Sequence, residues 1–400
     1  MKNRLMDILI CPDCKKKLNL DIYKKIIITN NSEIDKSPCQ KICSFEDRLI
    51  DNDVNIEVCR RCYQVEILQG YLNCKCGNKY PIINGIPRFL PKNLLRCLND
   101  RYPSFFSKYG KDNSTTTPNQ DNEMSVGPDS KKKETIDKFG YEWTEFSDYD
   151  ADNFLKLMQI DDTSFFKNKF GLGAGDGAGR HSREAVKYGA EMVSVDLGWG
   201  VESIYKNNNI IKTHVIQADI TNLPFREGIF DFIYSLGVLH HTSDTRKSFL
   251  SLVPHLKEGG EIFVWIYSNK RRTLLYLFSI YRKFTIRLPN KMIKYLSFLS
   301  ALIDYGIFIK PYKVLSKNGT RKTFIDFLVP ERIKNYSIYD FFVSYTDWFD
   351  RLSYPIVNYH SDDEIYSWFQ EGGLENVKVT PTGLNASSAR GRKPISSHKE

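Results

Sequence analysis

The stretch GLGAGDGAGRHS, Gly171 to Ser182, decides how the rest of the chain is read. Gly173, Gly175, Gly177 and Gly179 recur at every second position between a short apolar run and the start of an amphipathic one. Glycine permits positive φ and lets a ligand approach the main chain without meeting a Cβ. The helix expected next offers unpaired N–H groups at its first turn. A tight strand-to-helix turn with no ligand is the alternative, and four spaced glycines argue against it. Starts at Gly171, Gly173, Gly175 or Gly177 all fail G-x-G-x-x-G, because the last position is Asp176, Ala178, Arg180 or Ser182. The phosphate-binding G-x-x-x-x-G-K-[ST] is missing too, so neither a nicotinamide nor an ATP enzyme is favoured.

Outward from the loop, short apolar runs alternate with amphipathic segments, the pattern of a parallel α/β sheet. Strands are expected near Phe170–Gly173, Met192–Asp196, Thr213–Gln217, Phe230–Ser235 and Glu261–Tyr267. Helices are expected near Ser182–Tyr188, Val201–Lys206 and Thr245–Leu256, and later at Asp362–Glu371, with a returning strand at Asn376–Thr380. Asp196 closes the second strand, where a carboxylate stands over the ligand crevice and accepts two ribose hydroxyls. A helix cap or a solvent-facing aspartate is the other reading of that position. The third strand runs into Asp219-Ile220, where the acid is placed to accept an exocyclic amine.

From Lys169 to Tyr267 these blocks resemble a class I S-adenosylmethionine-dependent methyltransferase of the broad ubiquinone/menaquinone-biosynthesis type. The matching pieces are GAGDGAGRHSREA, GAEMVSVDLGWGVE, VIQADITNLPF, FDFIYSLGVLHHTSD and LKEGGEIFVWIY. The resemblance implies a Rossmann-like sheet and S-adenosylmethionine as cofactor. It implies contacts from Gly173, Gly175, Asp176, Gly177, Gly179 and Arg180, from Asp196-Leu197 and Asp219-Ile220, and from Leu236-Gly237 near the methionine part. The family's usual acid at the end of the first strand is replaced here by Gly173, and Asp176 is the candidate to compensate.

A sulfonium methyl is already electrophilic, so alignment dominates and a base matters only where the acceptor loses a proton. His240 and His241 are the candidates, with at least one of them expected to be structural. Phe139-Gly140-Tyr141-Glu142-Trp143 is similar to a segment of fused methyltransferases and reads either as a lid or as packing on the sheet edge. Residues 269–355 form a basic, aromatic-rich, helical insertion at the carboxyl ends of the strands, where acceptors bind in open sheets. Aromatics with arginine suit a sugar, a ring-bearing metabolite or a base, and equally a buried core.

All nine cysteines fall within residues 11–97. Cys11-Pro-Asp-Cys14 and Cys74-Lys-Cys76 supply two tight pairs, enough to close a tetrahedral structural zinc site. Residues 6–92 resemble a small zinc-ribbon family that activates tRNA and protein methyltransferases as a separate subunit. An insertion there carries Cys39, Cys43, Cys59 and Cys62, either a second zinc site or buried thiols.

The fold class expected is therefore α/β, a class I methyltransferase sheet with a helical insertion plus a small N-terminal zinc-ribbon domain. The divisions are 1–97 for the zinc ribbon, 98–134 for a polar linker and 135–268 for the catalytic core. They continue with 269–355 for the insertion, 356–385 for the return to the core and 386–400 for a basic tail. No signal peptide and no bilayer-length segment is read, so a cytoplasmic enzyme is the expectation. The net charge of +9 favours anionic contacts, modestly for this length. The expected acceptor is a small molecule, a glycan or a lipid-linked molecule, with peripheral membrane contact compatible. The alternatives are an RNA methyltransferase acting on an rRNA or tRNA base, favoured by the basic tail, and a non-catalytic binding protein.

Overall fold

The computed structural model describes residues 1–28, 39, 42–50, 55–110, 128–146, 153–208, 211–270, 272–316, 329–382 and 385–395. The first quarter contributes β1 (Leu18–Ile27), the two-residue strands β2 (Ile42–Cys43) and β3 (Arg48–Leu49), then β4 (Val65–Cys74), β5 (Lys79–Ile83) and β6 (Ile86–Phe89). The glycine-loop region contributes β7 (Phe170–Ala174), β8 (Glu191–Asp196), β9 (Thr213–Ala218), β10 (Phe230–Leu236) and β11 (Leu256–Tyr267). Two late strands follow, β12 (Glu375–Pro381) and β13 (Ala386–Arg392). Eleven of these make one sheet in the order β1-β4-β5-β6-β9-β8-β7-β10-β11-β13-β12.

Strands β9-β8-β7-β10-β11 are parallel neighbours, as expected for strands buried on both faces and joined by helical crossovers. Their apolar runs enter one core of Leu172, Val193, Val195, Ile216, Ile233 and Val264. Chain order reverses between β7 and β10, the point at which such sheets open a crevice. The helix foreseen over Thr245–Leu256 stops at Leu250; Pro254 sits in the turn that follows, where an interior helical position would lack its N–H.

Three divisions change. The cysteine-rich head does not hang on a linker: β6 pairs in parallel with β9, Arg88 opposite Gln217 and Phe89 opposite Ala218. Leu5, Leu9, Leu72 and Ile82 of the head share the core of the catalytic sheet. Within the proposed linker, residues 111–127 lie outside the described set, while Lys92–Arg101, Pro103–Tyr109 and Pro128–Glu145 are helices. The first two of these bury Leu94, Leu98 and Phe105, apolar positions that the polar surroundings had masked.

The basic tail is in its first half a strand. Residues 386–392 lie between β11 and β12, with Ala386, Ser387, Ser388 and Ala389 buried. Arg390 donates to the Gln159 carbonyl (3.0 Å) instead of reaching for a partner. Residues 396–400 lie outside the described set. The insertion is helical, as expected. One of its helices, the 26-residue Asn290–Leu315, is long and apolar enough to cross a membrane by length and composition, contrary to the reading that no segment approaches that length. Asp304 interrupts the apolar pattern of the sequence but not the helix.

Candidate functional site

Gly175, Gly177 and Gly179 in the turn after β7 all have positive φ, and the first two line the cleft. Gly175 has φ +78°, and a Cβ there would lie 2.3 Å from the Val238 side chain. At Gly177, with φ +56°, it would lie 2.8 Å from the Trp143 indole. The bare main chain between them forms one wall of a cleft at the carboxyl ends of β7, β8, β9 and β10. Its enclosed volume is about 150 Å³.

Asp196 at the end of β8 accepts from Gly177 N–H through Oδ2 (2.9 Å) and from Gly198 N–H through Oδ1 (2.7 Å). A carboxylate has about four acceptor sites, so acceptor capacity remains beyond these N–H groups, and Asp196 lines the cleft. Burial pushes its carboxyl up, and the N–H groups of Gly177, Gly198 and Leu197 oppose that rise. Asp219 caps the turn Ile220–Asn222, accepting from Thr221 N–H (3.0 Å) and Oγ1 (2.8 Å), and it lines the cleft beside Ile220. Leu197, Arg180, Leu236 and Gly237 line it too. Gly173 and Gly179 do not. Gly173 is inside β7, and Gly179 begins the next helix with its carbonyl held by Asn208 Nδ2 (2.8 Å).

Asp176 stands beside Gly173. A Cβ on Gly173 would stand 2.6 Å from Tyr234 Oη and 3.1 Å from Asp176 Cγ, so the loop carboxylate fills the space a side chain at 173 would use. Ser182 Oγ (2.5 Å) and Tyr234 Oη (2.8 Å) donate to it. Burial pushes it up to about 6 in spite of those donors.

The two histidines separate. His240 is fully buried, stacks on Tyr267 (3.9 Å, 22°) and accepts from Tyr267 N–H through Nδ1 (3.4 Å), away from the cleft. His241 lines the cleft. Its Nδ1 lies 2.8 Å from the Ile356 carbonyl, which only accepts, so Nδ1 carries the proton and Nε2 is the bare nitrogen of the neutral ring. Nε2 stands 3.9 Å from Asp350 Oδ1, and Tyr267 Oη donates to Oδ2 of the same carboxylate (2.7 Å). Burial pushes His241 down, and the Asp350 charge opposes it.

The roof comes from two elements. Thr135, Ile136, Phe139 and Trp143 of the helix Pro128–Glu145 line the cleft, so two residues of FGYEW face the site while Tyr141 packs against Phe349. Phe139 stacks on Tyr354 (3.7 Å, 18°), just past the insertion helix Phe341–Ser353. That helix carries Asp347 and Asp350, one turn apart. Sequence reading took their neighbourhood as an aromatic cluster; the i, i+3 spacing of two acids on one helical face was the signal that would have found them. Glu142 was likewise passed over, and it is buried with Oε2 unpartnered.

In the head, the Sγ atoms of Cys11, Cys14, Cys74 and Cys76 all lie within 4.8 Å of one another. Cys11–Cys76 is 3.7 Å and Cys14–Cys74 is 3.3 Å. Four sulfurs at 2.3 Å from a tetrahedral ion stand roughly 3.8 Å apart, so the set fits zinc. Tyr80 Oη at 3.3 Å from Cys11 Sγ supplies a second contact to that ligand. Cys39, Cys43, Cys59 and Cys62 form no such group among the described residues. Cys39 donates instead to Asp7 Oδ2 (3.0 Å), and Cys59 and Cys62 are buried beside Tyr63. Burial pushes the Cys62 thiol up to about 12.

Comparison with known proteins agrees with this division. Residues 172–264 match the family of methyltransferase domains, and residues 2–85 match Trm112p-like proteins. A ubiquinone biosynthesis O-methyltransferase of Marinobacter nauticus is 27% identical over 139 residues, which are 33% of this chain and 58% of that one. A tRNA U34 carboxymethyltransferase of Campylobacter curvus is 39% identical over 59 residues, 14% of this chain and 20% of that one. The chain thus spans little more than half the length of the first relative and a fifth of the second. The solved structure of human N-acetylserotonin methyltransferase with S-adenosylmethionine aligns over 64% of this chain and 56% of that chain, at 13% identity and a TM-score of 0.38. The chain carries a class I methyltransferase domain and, ahead of it, a Trm112p-like domain.

Proposed function

We propose that this chain transfers the methyl group of S-adenosylmethionine to a small-molecule, glycan or lipid-linked acceptor. The observation that carries the reading is the convergence of the Gly175–Gly177 main chain, Asp196 and Asp219 on one cleft that His241 faces from across the β10 end. The fit is chemical: a main-chain wall that any Cβ would fill, a carboxylate with lone pairs to spare for a diol, and a second acid for an amine. When bound, the cofactor supplies an electrophilic methyl on a sulfonium. Asp196 holds the ribose, Asp219 and Ile220 the adenine side, and Leu236-Gly237 the amino-acid end. Arg180 and Asp176 set the charge of the loop. His241 takes the acceptor's proton at Nε2, and Asp350 steadies the imidazolium that results. Cys11, Cys14, Cys74 and Cys76 would hold a zinc ion with four thiolates, a structural role.

A second reading, methyl transfer to an RNA base, draws on the Trm112p-like head and on the tRNA-modifying relative. It predicts RNA affinity that falls steeply with salt. The wider test is calorimetric titration of metal-loaded protein with S-adenosylmethionine. Wild type binds, and Asp196→Ala binds on the order of 100-fold more weakly, the value of about two hydrogen bonds to a charged acceptor. His241→Asn keeps cofactor affinity while turnover falls roughly 10²-fold or more. Absence of cofactor binding by folded wild type overturns the reading. Labelled methyl recovered from glycan, lipid or RNA fractions of an extract assigns the acceptor.

A further inference from the structure

The helix Asn290–Leu315 is the longest element of the insertion, about 39 Å at 1.5 Å per residue. Its inner side is fixed by Ile293, Ser297, Ala301, Asp304, Ile309 and Tyr312. The steps between them are four, four, three, five and three. The five-residue step coincides with a single π turn, Tyr305–Ile309, which keeps the inward face inward along the whole length. The opposite side is apolar and open. Tyr295 is 64% exposed and Ile307 61%, with Leu302, Ile303 and Phe308 between and beside them. Phe284, at 68%, extends the surface on the preceding helix. A continuous apolar face of this kind on a folded protein marks a contact surface.

Its charges are of one sign. Residues 281–316 hold seven lysines and arginines and one acid, Asp304. That acid is turned inward, paired with Arg332 and accepting from Trp348 Nε1 (3.1 Å). Lys283, Arg287, Lys291 and Lys310 are exposed around the apolar row. Glu145 of a neighbouring helix pairs with Lys294, but cations stay in excess, and an apolar stripe with such a rim is the pattern of a helix that lies in the headgroup region of an anionic bilayer. A second copy meeting this face about a two-fold axis would set the same cations against each other. A nucleic acid would meet aliphatic side chains at the centre, where phosphates need donors. Spanning is excluded by the packing: the inner side is committed to the helix Phe341–Ser353, through Ile293 against Phe349 and Leu352, and it carries a buried ion pair.

We propose that this face docks the protein on anionic phospholipid membranes, peripherally and reversibly. The helix it packs against carries Asp350 to His241, so docking sets the roof of the cleft at the lipid surface. That consequence rests on the methyl-transfer reading; the docking itself does not.

The test is co-sedimentation of the 400-residue, metal-loaded chain with phosphatidylcholine vesicles and with vesicles containing about 30% phosphatidylglycerol, where the basic rim acts. Wild type is expected to bind the anionic vesicles at least about tenfold more tightly than the neutral ones. The double variant Phe284→Glu/Ile307→Glu, at two exposed positions, is expected to lose vesicle binding about tenfold or more while its melting and cofactor titration match wild type. Lys291→Glu/Lys310→Glu is expected to abolish the preference for anionic lipid. Wild type that stays in the supernatant, or a double variant that sediments like wild type, overturns the proposal. So does a dimer in sedimentation velocity that Phe284→Glu/Ile307→Glu dissolves, which would assign the face to a second copy. Failure of cofactor binding with intact vesicle binding would overturn the methyl-transfer reading alone.

Discussion

The two flanks of the sheet bury charge in opposite ways. On the β9 side, where the head joins, each buried ion has polar partners, although Arg88 Nε donates to none among the described residues. Arg88, with no exposed surface, donates to Gln217 Oε1 (2.8 Å), Tyr102 Oη (3.2 Å) and Glu202 Oε1 (3.2 Å). Glu191 at the start of β8 accepts from Tyr63 Oη (2.6 Å) and His214 Nε2 (2.7 Å), with Arg4 Nε at 3.6 Å. Burial alone would raise its carboxyl, but Arg4, His214 and Tyr63 outweigh it and hold the group at about 2. Under the roof, by contrast, Glu142 has an oxygen without a partner, and burial pushes Asp347 up to about 6. Matched ions join two parts of a structure; mismatched ions among aromatic rings mark the side where a ligand works.

If the head is joined in this way, it cannot melt alone. If zinc fills the Cys11, Cys14, Cys74 and Cys76 set as proposed, removing it by chelator or by Cys14→Ser withdraws on the order of 10 kcal/mol of folding energy from the head. Because β6 pairs with β9 and the core is common, the expected outcome is one calorimetric transition for the whole chain, moved down by about 10 °C. Two separate transitions, with the methyltransferase part unmoved, would break the comparison at its root.

A smaller cut at the same joint is Arg88→Ala. It leaves the Gln217 amide oxygen without its donor inside the sheet, and the Glu202 carboxylate, on the adjacent helix, with Arg101 Nε at 3.9 Å. Breaking a buried pair costs about 3–5 kcal/mol, and partial exposure of Glu202 puts this one near the lower end, about 3 kcal/mol. Urea unfolding is the measurement, and an effect below about 1 kcal/mol would show that the joint rests on apolar packing alone.

How far each flank can be read without coordinates follows the same division. Five strands and the loop are legible because burial on both faces writes continuous apolar runs, and because glycine marks a turn that no side chain fits. The four zinc candidates are legible because two pairs of thiols at fixed short spacing have few other uses. The Arg88–Gln217 joint is not, since an arginine in GIPRFL carries no sign that its guanidinium will be buried. The strand Ala386–Arg392 is hidden for a related reason: covered on both faces and paired on both edges, it is built from Ala, Ser, Gly and Arg, so its pattern reads as surface. Asp350 and Glu142 belong to elements about two hundred residues apart in sequence, and only the closed roof brings them together.

The smallest effect is the one that tests the roof. Burial, reinforced by Asp350 and Asp347 and opposed by Arg180, holds the Glu142 carboxyl well above its ordinary value. The folded protein therefore keeps a proton there that the unfolded chain releases above about pH 4.5. Stability from this group is complete below that pH and is lost as pH rises toward the folded value. Glu142→Gln has the same shape, does not ionise, and turns an amide N–H₂ toward two carboxylates. It is expected to melt with wild type at pH 4.5 and above it at pH 8, by on the order of 1–2 °C. A variant less stable than wild type at every pH would mean that the carboxylate is ionised and paired, and the roof would then resemble the head. Unchanged melting with reduced turnover would place that group's charge among those facing the acceptor, and the contrast between the flanks would become one between structure and catalysis.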